Sequence, residues 1–223
     1  MKQNIPARLL AKKSDLVIPG NHKVSYNANT WRKWFDGDKD FNDLIRKYPQ
    51  AISRSEIANL ANQVSTKNEN TRKVFLATML WGYGTVGYGA YRTSIMLNDK
   101  NSRNTIEKSF NLVFTGKYIE AYKMFSMPMC GAAFFTKYFY FVGLGNKITP
   151  LPLILDSVVA NSLVKLGIDI SQLAKVTKKH GKISSVRKYA DGYFKYVEMI
   201  NNWASEIGCR PDSIEKWLFT FQN

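Results

Sequence analysis

Lys137 sits inside the most apolar stretch of the chain, Gly131-Ala132-Ala133-Phe134-Phe135-Thr136-Lys137-Tyr138-Phe139-Tyr140-Phe141-Val142, and Asp156 follows it by nineteen positions. A lysine held among aromatic side chains loses hydration, and desolvation favours the neutral, nucleophilic amine. Asp156 stands directly before an apolar run, Ser157 to Leu166, and reads as a helix N-cap. A carboxylate fixed by backbone N–H groups is suited to stabilise positive charge that develops beside it. Each residue also has a purely structural reading. The lysine can lay its stem on the core and snorkel outward, and the aspartate can simply cap.

Ahead of the lysine lies Met127-Pro128-Met129-Cys130-Gly131. Pro128 stops one helix, and Gly131 is expected to let the backbone turn tightly into the next. A short turn that opens a helix leaves free N–H groups at a positive dipole end, a site for one phosphate. Most helix–helix turns bind nothing, so this signal is weak alone. Gly82-Tyr83-Gly84-Thr85-Val86-Gly87 matches a GxGxxG pattern, but a dinucleotide site needs a strand before it and a βαβ unit around it. Close helix packing or backbone approach to a ligand accounts for these glycines better. Lys175, Lys178, Lys179, His180, Lys182, Arg187 and Lys188 cluster around Gly181, either as solvated surface or as a loop gripping phosphates. His22 and His180 are the only histidines, too few and too ill-placed for a metal site or a Ser-His pair.

The elements that must position these residues are helical. The chain has 223 residues, enough for one large domain or two lobes sharing a core, and its apolar residues recur mainly at helical spacing. Ser53 and Glu56 have capping-box spacing before a helix reaching about Ser65. Further helices are predicted over Thr71–Trp81, Asn104–Phe114, Lys117–Phe125, Gly131–Val142 (ended by Gly143 and Gly145), Ser157–Leu166, a stretch capped by Asp169, Ser185–Glu206 and Ser213–Phe221. Loops are expected at Gly143–Pro152 and Lys178–Ser184, and the first 30 residues read as polar and irregular. The fold class is all-α.

Composition narrows the partner. Lys plus Arg number 32 against 17 Asp plus Glu, a net charge of +15, which favours a polyanion, most commonly nucleic acid. No uncharged apolar run is long enough to span a membrane, and Met1 to Asp15 has no apolar signal core. Cys130 and Cys209 form no metal-ligand motif, and a reduced cytoplasmic chain is the simpler reading.

Pro128-x-x-Gly131, Lys137 six positions after that glycine and Asp156 nineteen after the lysine together resemble the helix-hairpin-helix DNA glycosylases that carry a catalytic lysine. The likeness is closest to 8-oxoguanine DNA glycosylases and their archaeal and bacterial relatives. It is firmest over Pro128 to Leu166 and looser at Trp81–Gly89 and Pro211–Phe219. Three features depart from or blur the pattern. Met129 replaces the first hairpin glycine, Val158 stands where a histidine often follows the aspartate, and no β-rich N-terminal lobe is visible.

The resemblance implies nine to ten helices in two lobes around a cleft, a single domain over 1–223, and a hairpin and catalytic segment near 117–167. It implies that Lys137 attacks the anomeric carbon of a flipped nucleotide while Asp156 stabilises the positive charge, with no metal and no cofactor. Abasic-site lyase activity through a Schiff base is a further expectation. Duplex DNA with a modified base is the partner, contacted through Met129, Cys130, Gly131, Arg92, Lys178, Lys179 and Lys182. Trp81, Tyr83, Tyr88, Phe134, Trp203 and Trp217 are candidate walls for the base. The expected protein is a monomer, cytoplasmic, and nucleoid-associated if bacterial. The base itself is not legible: 8-oxoguanine, another lesion, or a modified base of foreign DNA such as a phage genome would use the same pair. A non-catalytic DNA-binding protein built on the same hairpin and charge is the alternative, and a nucleotide-cofactor protein built on the glycine cluster a distant third.

Overall fold

Twelve α-helices and four short strands make up residues 4–64 and 70–221, the residues this computed structural model describes. The chain begins α1 (Ala7–Leu10), β1 (Lys23–Ser25), α2 (Ala28–Phe35), α3 (Lys39–Lys47), β2 (Ala51–Ser53) and α4 (Arg54–Asn62). It continues through α5 (Thr71–Tyr83), α6 (Gly89–Asn98), α7 (Ser102–Phe114), α8 (Tyr118–Met124) and α9 (Ala132–Gly145). It closes with α10 (Ser157–Lys165), β3 (Lys175–Lys179), β4 (Lys182–Arg187), α11 (Ala190–Ile207) and α12 (Pro211–Thr220).

Helix dominates, as the apolar spacing predicts, but the all-α reading needs correction. β1 pairs antiparallel with β2, and β3 with β4. The segment expected as a loop at 178–184 is a hairpin, and the helix expected from Ser185 starts only at Ala190. His180 and Gly181 both take positive φ, +50° and +73°, the backbone that a two-residue hairpin turn requires. The register shifts between Thr177 and Lys178, where β4 carries the extra residue Ser184, so the period-two signal is broken on the second strand. Only Ile183 and Val186 of this ribbon are buried.

Local signals explain most helix ends. The Ser53 hydroxyl accepts from the Glu56 N–H at 3.2 Å, and the Glu56 carboxylate accepts from the Ser53 N–H at 2.7 Å, a complete capping box. That helix ends at Asn62, and its predicted limit, Ser65, lies outside the described residues. Asp169 does cap, but only a single 3-10 turn, Ile170–Gln172. The helix runs through Gly143 and ends at Gly145, and neither glycine takes the left-handed backbone of a helix stop. A Cβ on Gly145 would collide with the Ala58 carbonyl, so this glycine sets how closely α9 approaches α4.

α9 is apolar on all sides and correspondingly buried, packed among α4, α5 and α7. Lys137 is therefore carried through the middle of the core. Among the described residues, no helix is long and apolar enough to cross a membrane.

Candidate active site

Residues 149–156 link α9 to α10 without regular structure, yet Leu151 to Asp156 are all buried, so their backbone groups need partners from elsewhere. Asn201 on α11 supplies both polar groups of Leu151, each at 3.1 Å. The Tyr193 and Tyr196 hydroxyls donate to the carbonyls of Leu153 and Ile154, each at 2.8 Å. The Leu155 N–H donates to Thr136 Oγ1 of α9 at 3.3 Å. The segment is thus tied to α9 and α11 before it reaches Asp156.

Asp156 divides its two oxygens between two tasks. Oδ1 accepts from the N–H groups of Val158 and Val159, at 3.0 and 3.1 Å, and caps α10. Oδ2 lies 3.2 Å from Lys137 Nζ. The lysine also donates to the Ala133 carbonyl one turn back, at 2.8 Å, and its Nζ stands 5.4 Å from the Phe134 ring centroid. Lys137 is 7% and Asp156 8% exposed, which rules out a lysine that snorkels to water. A Cβ on Gly82 would sit 3.2 Å from Lys137 Cδ and 3.4 Å from the Phe134 ring, so this glycine makes room for the lysine stem. The GxGxxG run begins in the last turn of helix α5 rather than after a strand, and its first glycine serves this packing.

The pair opens onto a cavity of about 480 Å³. Its walls come from β1 and the residues before it, from α4, from the end of α5, and from α12 through Glu215 and Phe219. His22, Arg54 and Glu215 are wall residues that the sequence motifs do not mark. The Arg54–Glu215 ion pair, at 2.6 Å, is sealed from solvent at 1% and 0% exposure. The Arg54 guanidinium lies 5.1 Å from both the Trp81 and Tyr140 ring centroids, a cation between two aromatic faces. Burial works against the Arg54 charge, but Glu215 and Tyr140 outweigh it and hold the guanidinium firmly charged. Burial pushes the Glu215 carboxyl up against the pull of Arg54. His22 is drawn down to about 4, first by burial and then by the positive charges of Lys216 and Arg54, so a neutral imidazole lines the wall. One signal was available: Glu215 lies between Ile214 and Leu218, on the buried stripe of α12, where a carboxylate is out of place without a partner. Nothing in the sequence singles out His22.

The candidate base-contact residues separate. Trp81 and Tyr83 line the cavity. Phe134 stacks on Tyr83 with centroids 4.1 Å apart, and burial pushes the Tyr83 phenol up to about 12. Tyr88 is exposed, edge-on to Tyr83 at 6.0 Å. Trp203 is buried beneath a separate groove formed with Phe194 and Met199, and Trp217 stacks on Phe221 at 4.8 Å; neither lines the cavity.

The hairpin between α8 and α9 turns differently from expectation. Met129, not Gly131, takes the left-handed backbone, with φ +59°, while Gly131 is extended at φ −77° and N-caps α9. Pro128 followed by a positive-φ residue, with the Cys130 N–H donating to the Met127 carbonyl at 3.3 Å, has the form of a type II turn. Met129 and Gly131 face solvent, whereas Cys130 is buried and uses its N–H within the turn. Arg92 lies half-buried with its guanidinium 4.4 Å from the Tyr88 ring centroid. Lys178, Lys179 and Lys182 are exposed on the β3–β4 ribbon. Among the described residues, no group of three His, Cys, Asp or Glu is placed to hold a metal ion.

No curated protein and no solved structure matches the chain. Residues 18–219 match the model of a family described as "Putative 8-oxoguanine DNA glycosylase OGG-like protein". That span includes both members of the buried pair and every wall of the cavity, and the chain belongs to this OGG-like 8-oxoguanine DNA glycosylase family.

Proposed function

We propose that this protein is a DNA glycosylase that extrudes a modified base from duplex DNA and releases it through nucleophilic attack by Lys137. The observation that carries the reading is the 3.2 Å contact between Lys137 Nζ and Asp156 Oδ2 at the wall of a cavity of about 480 Å³, within the range of small-ligand sites. In this reading the base enters between Trp81 and Tyr83. The amine attacks C1′ of the sugar, and the base leaves with the electrons of the glycosidic bond and takes up a proton. Asp156 Oδ2 stabilises the positive charge on the sugar and accepts a proton from the attacking amine. Opening of the sugar ring then gives a protonated imine on Lys137, from which β-elimination can cut the strand. The hairpin at Met129–Gly131, Arg92 and the lysines at 178, 179 and 182 contact phosphates. 8-Oxoguanine is the substrate that the family suggests, and a different modified base, including one in phage DNA, would use the same pair.

Borohydride reduces such an imine to a stable adduct. Wild type should be trapped on abasic or modified-base DNA, and Lys137→Gln should not. Retained trapping in that variant would overturn the site assignment. DNA binding by wild type without trapping or base release would favour a non-catalytic binding protein.

A further inference from the structure

The β3–β4 ribbon has a composition unlike the rest of the molecule. From Lys175 to Lys188 the chain carries six cations and no acidic residue. Lys175, Lys178, Lys179, Lys182 and Arg187 are exposed. None of them forms an ion pair among the described residues, whereas Arg72, Lys73 and Arg103 elsewhere all do. Unpaired positive charge concentrated on one projecting element raises self-repulsion, and an anionic partner relieves it.

The ribbon is also rigidly mounted. Ile183 and Val186 turn one side of β4 inward, each 5% exposed, and β4 packs against α10 and α9. Asn161 of α10 clamps Ile183 from both sides, donating to its carbonyl at 2.8 Å and accepting from its N–H at 3.0 Å. At the ribbon's base, the Lys188 ammonium donates to the Phe125 carbonyl at 2.8 Å and to the Lys123 carbonyl at 2.5 Å. One mount is thus the helix that Asp156 caps, and the other is the entry to the α8–α9 hairpin. The remaining surface carries small hydroxyls, Thr177, Ser184 and Ser185, between the basic residues. A narrow, two-stranded, basic ribbon with small side chains has the dimensions and chemistry to enter the major groove of a duplex.

We infer that the β3–β4 ribbon is a groove-binding arm that engages duplex DNA on one flank of the reacting nucleotide, in register with Asp156. The inference rests on the glycosylase reading and extends it from phosphate contacts to a one-sided duplex requirement. A five-residue strand spans about 17 Å, the rise of about five base pairs.

The test measures binding to duplexes with a single abasic site whose flanks are shortened one base pair at a time from either side. Wild type should lose affinity when one flank, and not the other, falls below about five base pairs. Lys178→Gln/Lys179→Gln/Lys182→Gln should abolish that asymmetry. It should also lower the slope of log affinity against log salt by up to about 2.7, at about 0.9 for each phosphate no longer neutralised. A matched variant with exposed lysines elsewhere, Lys100→Gln/Lys108→Gln/Lys117→Gln, should keep the wild-type flank profile. A symmetric wild-type profile, or the same change in both triple variants, would overturn the arm. Absence of trapping with every duplex would instead sink the Lys137 reading, and the flank profile would still be readable from binding.

Discussion

Two buried ion pairs stand in the same cavity wall, and they are built for different ends. Arg54–Glu215 joins α4 to α12 across 161 positions, is sealed at both ends and satisfies its charges within the protein. Lys137–Asp156 is slightly open, at 7% and 8% exposure, and each partner is also held by backbone: the lysine by the Ala133 carbonyl, the aspartate by two N–H groups of α10. The first pair is a clasp whose charges have nowhere else to go. The second is fixed by other bonds, so each group keeps its place without the other. On the proposed reading, burial alone does not mark a reactive lysine; independent anchors and a cavity in front of the amine do.

Mutation should separate the two pairs. The largest effect is expected for Lys137→Gln, which should lower base release by about a thousandfold or more while leaving the urea midpoint near that of wild type. Equal loss of folding would make Lys137 another clasp. Next, Arg54→Met should cost about 3–5 kcal/mol of stability by leaving Glu215 buried and unpaired. Pairing it with Glu215→Met should restore most of the loss, and failure to do so in urea melts would point to the aromatic sandwich rather than the ion pair.

Asp156→Asn is a finer cut, because asparagine caps a helix about as well as aspartate. Base release should slow by about a hundredfold with stability nearly unchanged, and Asp156→Ala should add a capping loss of about 1 kcal/mol. If the Asn variant releases base at the wild-type rate, the carboxylate is only a cap.

The smallest effect concerns His22. Its ordinary value of 6.5 falls to about 4 in the folded protein, so folding favours the neutral ring. The stability this contributes is complete above about pH 6.5 and is lost as pH falls toward 4. Urea midpoints measured across that window should fall less steeply for His22→Asn, and parallel curves would contradict the placement of His22 in the cationic wall.

Much of this architecture was legible from local chemistry. The Ser53–Glu56 box, the Asp156 cap and the apolar α9 follow from short-range rules, and it was the family resemblance that coupled Lys137 to Asp156. What was not legible depends on distant packing. Gly143 lies inside α9 and Gly145 is its last residue, and both also serve close approach to neighbouring segments, Gly145 to α4, which no local pattern reveals. The β3–β4 ribbon hides because a bulge breaks its alternation and most of its residues are polar and exposed. Met129 takes a backbone usually given to glycine, which the turn imposes against residue preference. The Arg54–Glu215 clasp could not be paired from sequence because 161 positions separate its members.

The most direct test of the central claim is to locate the covalent bond. Wild-type protein reduced with borohydride on abasic DNA, digested and mapped by mass spectrometry, should carry the sugar adduct on Lys137. Lys23 lines the same cavity with an exposed amine and is the natural competitor. An adduct on Lys23, or on any amine other than Lys137, would contradict the assignment of the buried pair as the chemical centre.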